Sequence, residues 1–346
     1  MLENVVEAPV ERAPGSPRAM PVVVRELYQF SRLVRTFGNG KWIFRGHADK
    51  SWSLKTSLER RMVGAKSPST NPTMQKAINS LLYKRYEASD EAYAVEVFKR
   101  LAQKSLPNLA HDVEWLAAMQ HYGTCTRLLD FSRSMYVALY FAMESEMRDK
   151  DAAIYAIKFD DLIHNTTIRD DLIKIQAEDI LRRHRKKDAA ARERDMSFVS
   201  ENYFKNNCLL QDSLIKLADR HIENSNGKQM GVIPISAPGV NERLVAQSGL
   251  FLMPRNFKPF EENLAASLEI DKEEVDNPKY KYNFARYPGN KNILKNAALI
   301  KILIDRELFK AMRNMLDQAN VSALNLFPGL EGIAKSIRYS ESLFER

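Results

Sequence analysis

The feature that most restricts the fold of this chain is a polar stretch, residues 120–132, between two segments that are too apolar to lie on a surface. The stretch places a histidine, a tyrosine, hydroxyl groups, an arginine and an aspartate around Gly123. Before it, Trp115 and Met119 recur at helical spacing, and Gly123 stands where a left-handed residue ends a helix. After it, residues 136–142 are all apolar or aromatic. The pattern predicts a rigid polar site pinned between two buried elements.

A second polar group follows a short apolar run, residues 42–44, which predicts a buried strand ending in Arg45 and Gly46. The planar guanidinium fork of Arg45 suits a phosphate or a carboxylate, and Gly46 would let a ligand approach the backbone closely. Asp130 lies among apolar neighbours, where an unpaired charge is costly, so we expect it to pair with Arg45 or Arg243. Arg45 is therefore either a ligand-binding residue or a structural partner of Asp130, and the two roles are compatible.

A third polar group begins at Asn241 and precedes a short apolar strand at residues 250–253. Arg243 and Gln247 are four residues apart, so they share one face of a helix. Glu242 then points in another direction. If the shared face lines a pocket, Arg243 and Gln247 enter that pocket and Glu242 does not.

The remaining pattern predicts an α+β fold with a mixed, mostly antiparallel central sheet flanked by helices, because no regular crossover helices separate the strands. Residues 1–20 are expected to be a flexible lead, followed by one domain over residues 21–340. Its core is predicted at 21–159 and 230–340, with a charged helical insertion at 160–229. The remaining elements are predicted at the following residues: helices at 23–37, 74–86 and 90–104, strands at 152–159, 230–235 and 298–304, and irregular chain at 254–292.

Composition excludes several classes of protein. Cys125 and Cys208 are the only cysteines, too few for a disulfide framework or a zinc quartet, and the six histidines lack paired spacing, so no metal is expected. Cys125 is either a packed thiol or a nucleophile. The sequence has no apolar run of membrane-spanning length and no signal peptide at its start, which favours a cytoplasmic protein without membrane contact.

The net charge of +8 raises the question of a nucleic-acid partner. Much of the charge lies in one basic run, which contains Arg182, Arg183, Arg185, Lys186 and Lys187. Such a run can neutralise phosphates, and it can equally be a solvated charged helix or loop. No zinc-finger, helix-turn-helix or aromatic RNA-binding pattern accompanies it. Nucleic acid is therefore the second partner class that we consider.

Four motifs, in this order, resemble those of the FRG domain family, which is named for the first. They are Phe44-Arg45-Gly46, residues 120–123 with 126–130, residues 241–243 with 247–251, and residues 326–332. On these motifs the chain is identified as a member of that family from about Val22 to Ile337. The family is mostly bacterial and occurs in settings suggestive of mobile elements and phage defence. The resemblance implies a toxin or phage-defence effector.

The FRG motifs distantly resemble those of ADP-ribosyltransferases, in which a first-strand arginine, a hydroxyl motif before a helix and a late acidic residue surround NAD. This likeness implies an ADP-ribosyltransferase-like core with an NAD pocket. The Glu-x-Glu pair of the third motif is absent, which leaves Glu242 or Gln247 in its place. The residues assigned to catalysis are His121, Glu242 and Gln247. Those assigned to nucleotide binding are Arg45, Gly46, Tyr122, Thr126, Arg127, Ser132 and Arg243, with Asp130 as their structural support.

Each assignment has an alternative in structure rather than function. His121 is a general base or ribose contact, or a buried structural histidine. Tyr122 stacks on a base or packs in the core. Thr126 and Ser132 bond a ligand or cap the following helix, a task that Ser134 also suits. The competing function for the whole chain is a non-catalytic module that binds nucleic acid or a protein partner through the basic run.

Overall fold

The computed structural model describes residues 18–38, 40–64, 88–106, 109–144, 150–183, 207–223, 229–236, 242–270 and 297–344. Its centre is a seven-stranded sheet in the order β1-β7-β4-β2-β3-β6-β5. The strands are β1 Arg18–Val24, β2 Trp42–His47, β3 Leu129–Ser132, β4 Ala152–Lys158, β5 Val232–Ile235, β6 Gly249–Pro254 and β7 Ala297–Ile304. Only β1 and β7 run parallel, and the other five neighbouring pairs are antiparallel. The prediction of an α+β fold with a mixed, mostly antiparallel sheet is confirmed.

The sheet is nearly interrupted at its middle. Strand β2 pairs with β4 over its whole length, from Trp42 opposite Lys158 to His47 opposite Ala153. On its other side, β2 meets β3 through a single pair, Phe44 opposite Ser132. Strands β2 and β3 therefore diverge beyond Phe44, and this divergence creates the space for a site.

Helices cover both faces of the sheet. In chain order they are α1 Leu27–Phe37, α2 Ser57–Gly64, α3 Ala88–Ala102, α4 Asp112–His121, α5 Met135–Met143, α6 Phe159–His164, α7 Thr166–Arg183, α8 Asn207–Glu223, α9 Glu242–Ala246, α10 Phe260–Leu268, α11 Phe309–Gln318, α12 Ala323–Leu326 and α13 Leu330–Phe344. The larger core lies on the face of Ile43 and Tyr155, and the smaller on the face of Phe44 and Ile154. Because alternate residues of a strand point to opposite faces, one strand supplies both cores.

Helix α5 lies directly on β2, and Gly46 makes this possible. A Cβ atom at residue 46 would lie 1.9 Å from the carbonyl oxygen of Ala138 and 2.7 Å from the amide nitrogen of Ala142. The sequence assigned this glycine to close approach of a ligand. The backbone of α5 is its immediate neighbour, so helix packing by itself requires the absence of a side chain, while the role of Gly46 toward a ligand stays a prediction.

The segment predicted to be a charged insertion is helical where it is described, over α6, α7 and α8. Its helices also contribute to the larger core, through buried residues such as Ile168, Leu172, Ile175, Leu210 and Leu214. The charged side chains of this segment therefore occupy one side of helices whose other side is apolar.

Three local predictions were wrong. Residues 18–24 form strand β1 rather than the end of a flexible lead and the start of a helix, because Val22 and Val24 are buried and favour a strand. Proline is tolerated at residue 21 because β1 is an edge strand. Residues 129–132, read as part of a polar turn, form β3, and residues 260–268, read as irregular, form α10.

Other local predictions agree with the structure. Helix α4 ends at His121, and Gly123 follows in the left-handed region with φ of 87°. Ser134 caps α5 by accepting a hydrogen bond from the amide of Val137. The helix predicted at 74–86 lies outside the described residues. Within the described ranges, no helix is both long and apolar enough to cross a membrane.

Candidate functional site

A cavity of about 340 Å³ lies where β2 and β3 diverge. Strand ends, the last turn of α4, helix α5 and helix α9 surround it. Its lining residues are Phe44, Arg45, Gly46, Ala117, Gln120, His121, Asp130, Phe131, Ser132, Ala138, Phe141, Arg243, Leu244, Gln247 and Phe251. We call this space the cleft cavity. Each of the three sequence groups contributes to its wall, as expected if they form one site.

Arg45 crosses the gap between β2 and β3. Its Nη1 donates to the backbone oxygen of Asp130 at 2.7 Å and lies 3.7 Å from the Asp130 carboxylate. Its Nε donates to Nε2 of His47 at 3.2 Å. The predicted pairing of Arg45 with Asp130 is confirmed, and it replaces the backbone hydrogen bonds that the two strands lack here.

His47 is buried, and its hydrogen bond with Nε of Arg45 fixes the orientation of the guanidinium. The Nδ1 atom of His47 lies 3.3 Å from the carbonyl oxygen of Trp52, so the neutral tautomer with a proton on Nδ1 can donate there while Nε2 accepts from Arg45. Burial, and then the charge of Arg45, lower the pKa of His47 to about 3. His47 is therefore neutral at physiological pH, as its contact with a cation requires.

Asp130 is more exposed than its apolar neighbours suggested. Its side chain is 58% exposed, so the prediction that it carries a buried charge was wrong. In the strand Leu129–Ser132, Asp130 occupies an alternate position that points away from the core. Gln120 donates to its Oδ1 at 2.9 Å, and Gln120 in turn accepts from the hydroxyl of Thr126. A chain of hydrogen bonds thus joins β2 to helix α4 across the base of the cleft.

The opposite wall comes from helix α9 and the residues after it. Arg243 and Gln247 line the cleft cavity and Glu242 does not, as the helical spacing predicted. The side chain of Gln247 donates from Nε2 to the carbonyl oxygen of Leu326 at 3.0 Å. The backbone carbonyl oxygen of Gln247 accepts from the hydroxyl of Ser132 at 2.7 Å. Ser132 and Gln247 therefore fix the wall's position relative to β3.

A second cavity, also of about 340 Å³, adjoins the first. Its lining residues are Leu106, Ala118, His121, Tyr122, Glu242, Arg243, Pro328 and Glu331. We call it the side cavity. His121 and Arg243 line both cavities and form the partition between them.

Charged and aromatic groups hold the partition in place. The guanidinium of Arg243 lies 4.5 Å above the ring of Phe327, and its Nη1 lies 3.4 Å from Oε1 of Glu331. Burial, and then the charge of Arg243, lower the pKa of His121, while Glu331 opposes the shift. A histidine with a lowered pKa is neutral at pH 7, and its unprotonated ring nitrogen is available as a base.

Tyr122, for which the sequence left ligand stacking and core packing as alternatives, does not pack in the core. Its side chain is 65% exposed and borders the side cavity. The ring of His121 meets it edge-on, with 4.9 Å between centroids. Because Tyr122 lies just past the end of α4, its ring leaves the helix surface and projects toward solvent.

Thr126 and Arg127, both assigned to nucleotide binding, line neither cavity. Thr126 is buried, and its hydroxyl accepts from the amide of Leu128 while donating to Gln120. Arg127 and Glu91 form an ion pair of 2.7 Å in which both side chains are only 2% exposed. Arg127 also donates to the carbonyl oxygen of His221 at 2.8 Å. Thr126 therefore supports Gln120 from behind the cleft wall, and Arg127 supports the buried core.

Two residues of the site were not selected from the sequence. His47 supports Arg45 and Gln120 supports Asp130, yet neither role has a local signal, because each depends on a partner in another element. Cys125 is a free, half-buried cysteine that lines neither cavity. In the ranges that the structure covers, no group of His, Cys, Asp and Glu is arranged to hold a metal ion. Of the basic run, Arg182 is exposed near the end of α7, and residues 185–187 lie outside the described residues.

Residues 40–151 match the family model of the FRG domain. The chain contains an FRG domain. This range supplies β2, α4, β3 and α5, and with them eleven of the fifteen lining residues of the cleft cavity. The FRG domain thus holds Arg45, His121 and Asp130, while Arg243 and Gln247 come from beyond the matched range. No curated protein and no solved structure matches the chain.

Proposed function

We propose that the cleft cavity of this FRG-domain protein binds NAD or a related nucleotide, as an ADP-ribosyltransferase-like module. The observation that carries the proposal is the pair of arginines that line one cavity, Arg45 from strand β2 and Arg243 from helix α9. Two guanidinium groups favour a ligand that carries phosphate, because each offers a planar fork of donors to its oxygens.

The rest of the wall suits the other parts of a nucleotide. Phe44, Phe131, Phe141 and Phe251 supply aromatic surface for a base or nicotinamide ring. Asp130 offers carboxylate oxygens that accept hydrogen bonds from ribose hydroxyls. The cavity lies at the lower end of the size range of small-molecule sites, about 300–1,000 Å³, which fits one nucleotide unit.

For a transfer reaction, His121 is the proton acceptor that we favour, because its lowered pKa keeps it neutral at pH 7. Gln247 replaces a carboxylate in this cavity and positions the ligand through hydrogen bonds. Glu242 lies in the side cavity, so we assign it no direct part in the reaction. A toxin or phage-defence effector acting in the bacterial cytoplasm is the cellular role that we propose for this activity.

Isothermal titration calorimetry with NAD and ADP-ribose, followed by an assay of NAD consumption, tests the proposal. We expect binding in the micromolar to millimolar range that is weakened at least tenfold in Arg45→Lys. Arg220→Lys is the matched control, because Arg220 forms an exposed ion pair with Glu178 on the helical side of the protein. Absence of binding at millimolar NAD, ADP-ribose and other nucleotides would reject the proposal.

A nucleic-acid-binding module is the second candidate. The exposed position of Arg182 near the end of α7, and the net charge of +8, favour it. In that case the basic residues 182–187 neutralise phosphates without reading bases, and affinity falls steeply with salt.

A further inference from the structure

We infer that the ligand of this protein is a dinucleotide, with its second nucleoside in the side cavity and its pyrophosphate beside Arg243. This inference rests on the proposed function, because it assumes that the first nucleotide unit occupies the cleft cavity. It adds a second subsite, whose base contact is Tyr122.

The two cavities share part of their walls. Each has a volume of about 340 Å³, and Arg243 and His121 belong to the walls of both. One such volume fits a single nucleotide unit, so a dinucleotide in the cleft cavity must place its other half elsewhere. The side cavity is the adjoining space, and it is reached past Arg243.

A positive charge lies where the two cavities meet. A pyrophosphate lies at the middle of a dinucleotide, and the junction of the two cavities carries the guanidinium of Arg243. The ring of Phe327 beneath it and the carboxylate of Glu331 beside it fix the orientation of this side chain. Arginine has five N–H donors, so a contact with Glu331 is compatible with contacts to phosphate oxygens.

The side chains that line the side cavity suit a base and a ribose. Tyr122 presents an exposed ring, and Leu106 and Pro328 supply apolar surface in the same wall. Stacking on an aromatic ring tolerates any base, because every base has a π face. Glu242 and Glu331 are hydrogen-bond acceptors in this wall, which suits the hydroxyl groups of a ribose. A wall that combines an aromatic ring, apolar side chains and two acceptors suits the base and the ribose of a nucleoside.

The edge contact between His121 and Tyr122 favours this arrangement. His121 meets the ring of Tyr122 at 69° and restricts its rotation, so less freedom is lost when a base stacks on it. The same histidine lines the cleft cavity, and it therefore borders both halves of the proposed ligand.

The test compares whole and half ligands by isothermal titration calorimetry. The probes are NAD, ADP-ribose, AMP and nicotinamide mononucleotide. We expect NAD, the one dinucleotide among the four probes, to bind at least tenfold more tightly than either mononucleotide. Tyr122→Ala should weaken the binding of NAD about tenfold, the effect of about 1.4 kcal/mol of lost stacking. The tighter-binding mononucleotide, which occupies the cleft cavity, should change by less than twofold.

Tyr93→Ala is the matched control, since Tyr93 is 70% exposed on α3 and lines neither cavity. A thermal melt of both variants checks that they fold. Equal affinity for whole and half ligands, or an equal effect of Tyr122→Ala on all four probes, would overturn the second subsite while leaving nucleotide binding in place. Failure of every probe to bind the natural sequence would remove the proposed function and this inference together.

Discussion

Two arginine–histidine pairs in this protein are built alike and lie in different surroundings. In the cleft, Nε of Arg45 donates to Nε2 of His47 at 3.2 Å. In the larger core, Nε of Arg255 donates to Nε2 of His221 at 3.1 Å. Both histidines are buried and have a lowered pKa, to about 3 for His47 and about 4 for His221. A neutral histidine therefore supports a cation in each region.

The pairs differ in what the guanidinium meets. The side chain of Arg255 is fully buried and bonds the carboxylate of Asp171 and the amide oxygen of Gln229. The guanidinium of Arg45 instead borders a cavity and pairs with the exposed carboxylate of Asp130. If the cation of Arg255 is removed, Asp171 and Gln229 lose their hydrogen bonds inside the core. If the cation of Arg45 is removed, water can enter from the cavity and replace its hydrogen bonds. The same local contact thus stabilises the fold in one place and presents a binding group in the other.

The largest effect is expected from the core, where Arg127 lies beside His221. Arg127→Met should leave the buried carboxylate of Glu91 without its cation and lower the free energy of unfolding by about 3–5 kcal/mol. Urea denaturation measures this loss. The double substitution Arg127→Met with Glu91→Leu should recover the part of this loss that comes from the unpaired carboxylate. The carbonyl oxygens of Pro254 and His221, to which Arg127 donates, lose that donor in both variants. A single variant that loses less than about 1 kcal/mol would contradict the structural role of this ion pair.

The second-largest effect is the loss of stability at acidic pH, which we attribute to His47 and His221. Both histidines have folded-state pKa values below the ordinary value of 6.5, so the unfolded chain binds more protons below that pH. The stability that they contribute is complete above pH 6.5 and is lost as the pH falls toward 4 and 3. At about pH 5 each histidine should reduce the free energy of unfolding by about 2 kcal/mol.

Urea denaturation at pH 7 and pH 5 of the natural sequence, His47→Gln and His221→Gln checks this sign. Glutamine keeps an acceptor for the arginine and does not titrate in this range. Each variant should lose less stability on acidification than the natural sequence does. Equal losses in all three proteins would show that these histidines do not control the acid response.

The third effect separates the cleft from the core. Arg45→Lys should change the free energy of unfolding by no more than about 1 kcal/mol, because its partner Asp130 is exposed. It should nevertheless weaken nucleotide binding at least tenfold, since a lysine cannot offer a planar fork of donors. Paired thermal melts and calorimetry measure the two quantities. A lysine variant with full affinity would show that Arg45 does not clamp a ligand at two points.

The smallest effect on stability per substitution is expected from the basic run. Replacement of Arg182, Arg183, Arg185, Lys186 and Lys187 by alanine should change the free energy of unfolding by no more than about 0.5 kcal/mol per residue, the usual limit for substitutions that break no buried contact. If this run binds nucleic acid, the variant should lose its salt-dependent retention on a DNA or RNA column. Unchanged retention would exclude the run as the contact and leave the cleft as the better-supported site.

Sequence patterns predicted the parts of the fold that depend on local chemistry. Apolar runs located β4 and β7, and Gly123 located the end of α4. The alternation of apolar and polar residues in Leu129–Ser132 is a strand signal that the density of polar groups concealed. Phe260, Leu264 and Leu268, at spacings of four, similarly indicate the helix α10.

The candidate site was predictable only in part. The pairing of Arg45 with Asp130 followed from charge, and the shared face of Arg243 and Gln247 followed from helical spacing. The burial of Arg127 could not be predicted in this way, because Arg127 lies in a loop and its partner Glu91 lies on helix α3, far away in the sequence. The exposure of Asp130 depends on the divergence of β2 and β3, which no local pattern encodes.

The divergence of β2 and β3 also divides the sheet into two blocks of strands. Strands β1, β7, β4 and β2 form one block, and strands β3, β6 and β5 form the other. The two blocks are joined by the single pair of Phe44 and Ser132. A change of angle at this pair would open or narrow the cleft without breaking hydrogen bonds within either block of strands. A ligand that contacts Arg45 on one block and Gln247 beside the other would fix that angle. We therefore expect the angle between the two blocks, as well as the side chains that line the cleft, to influence ligand affinity.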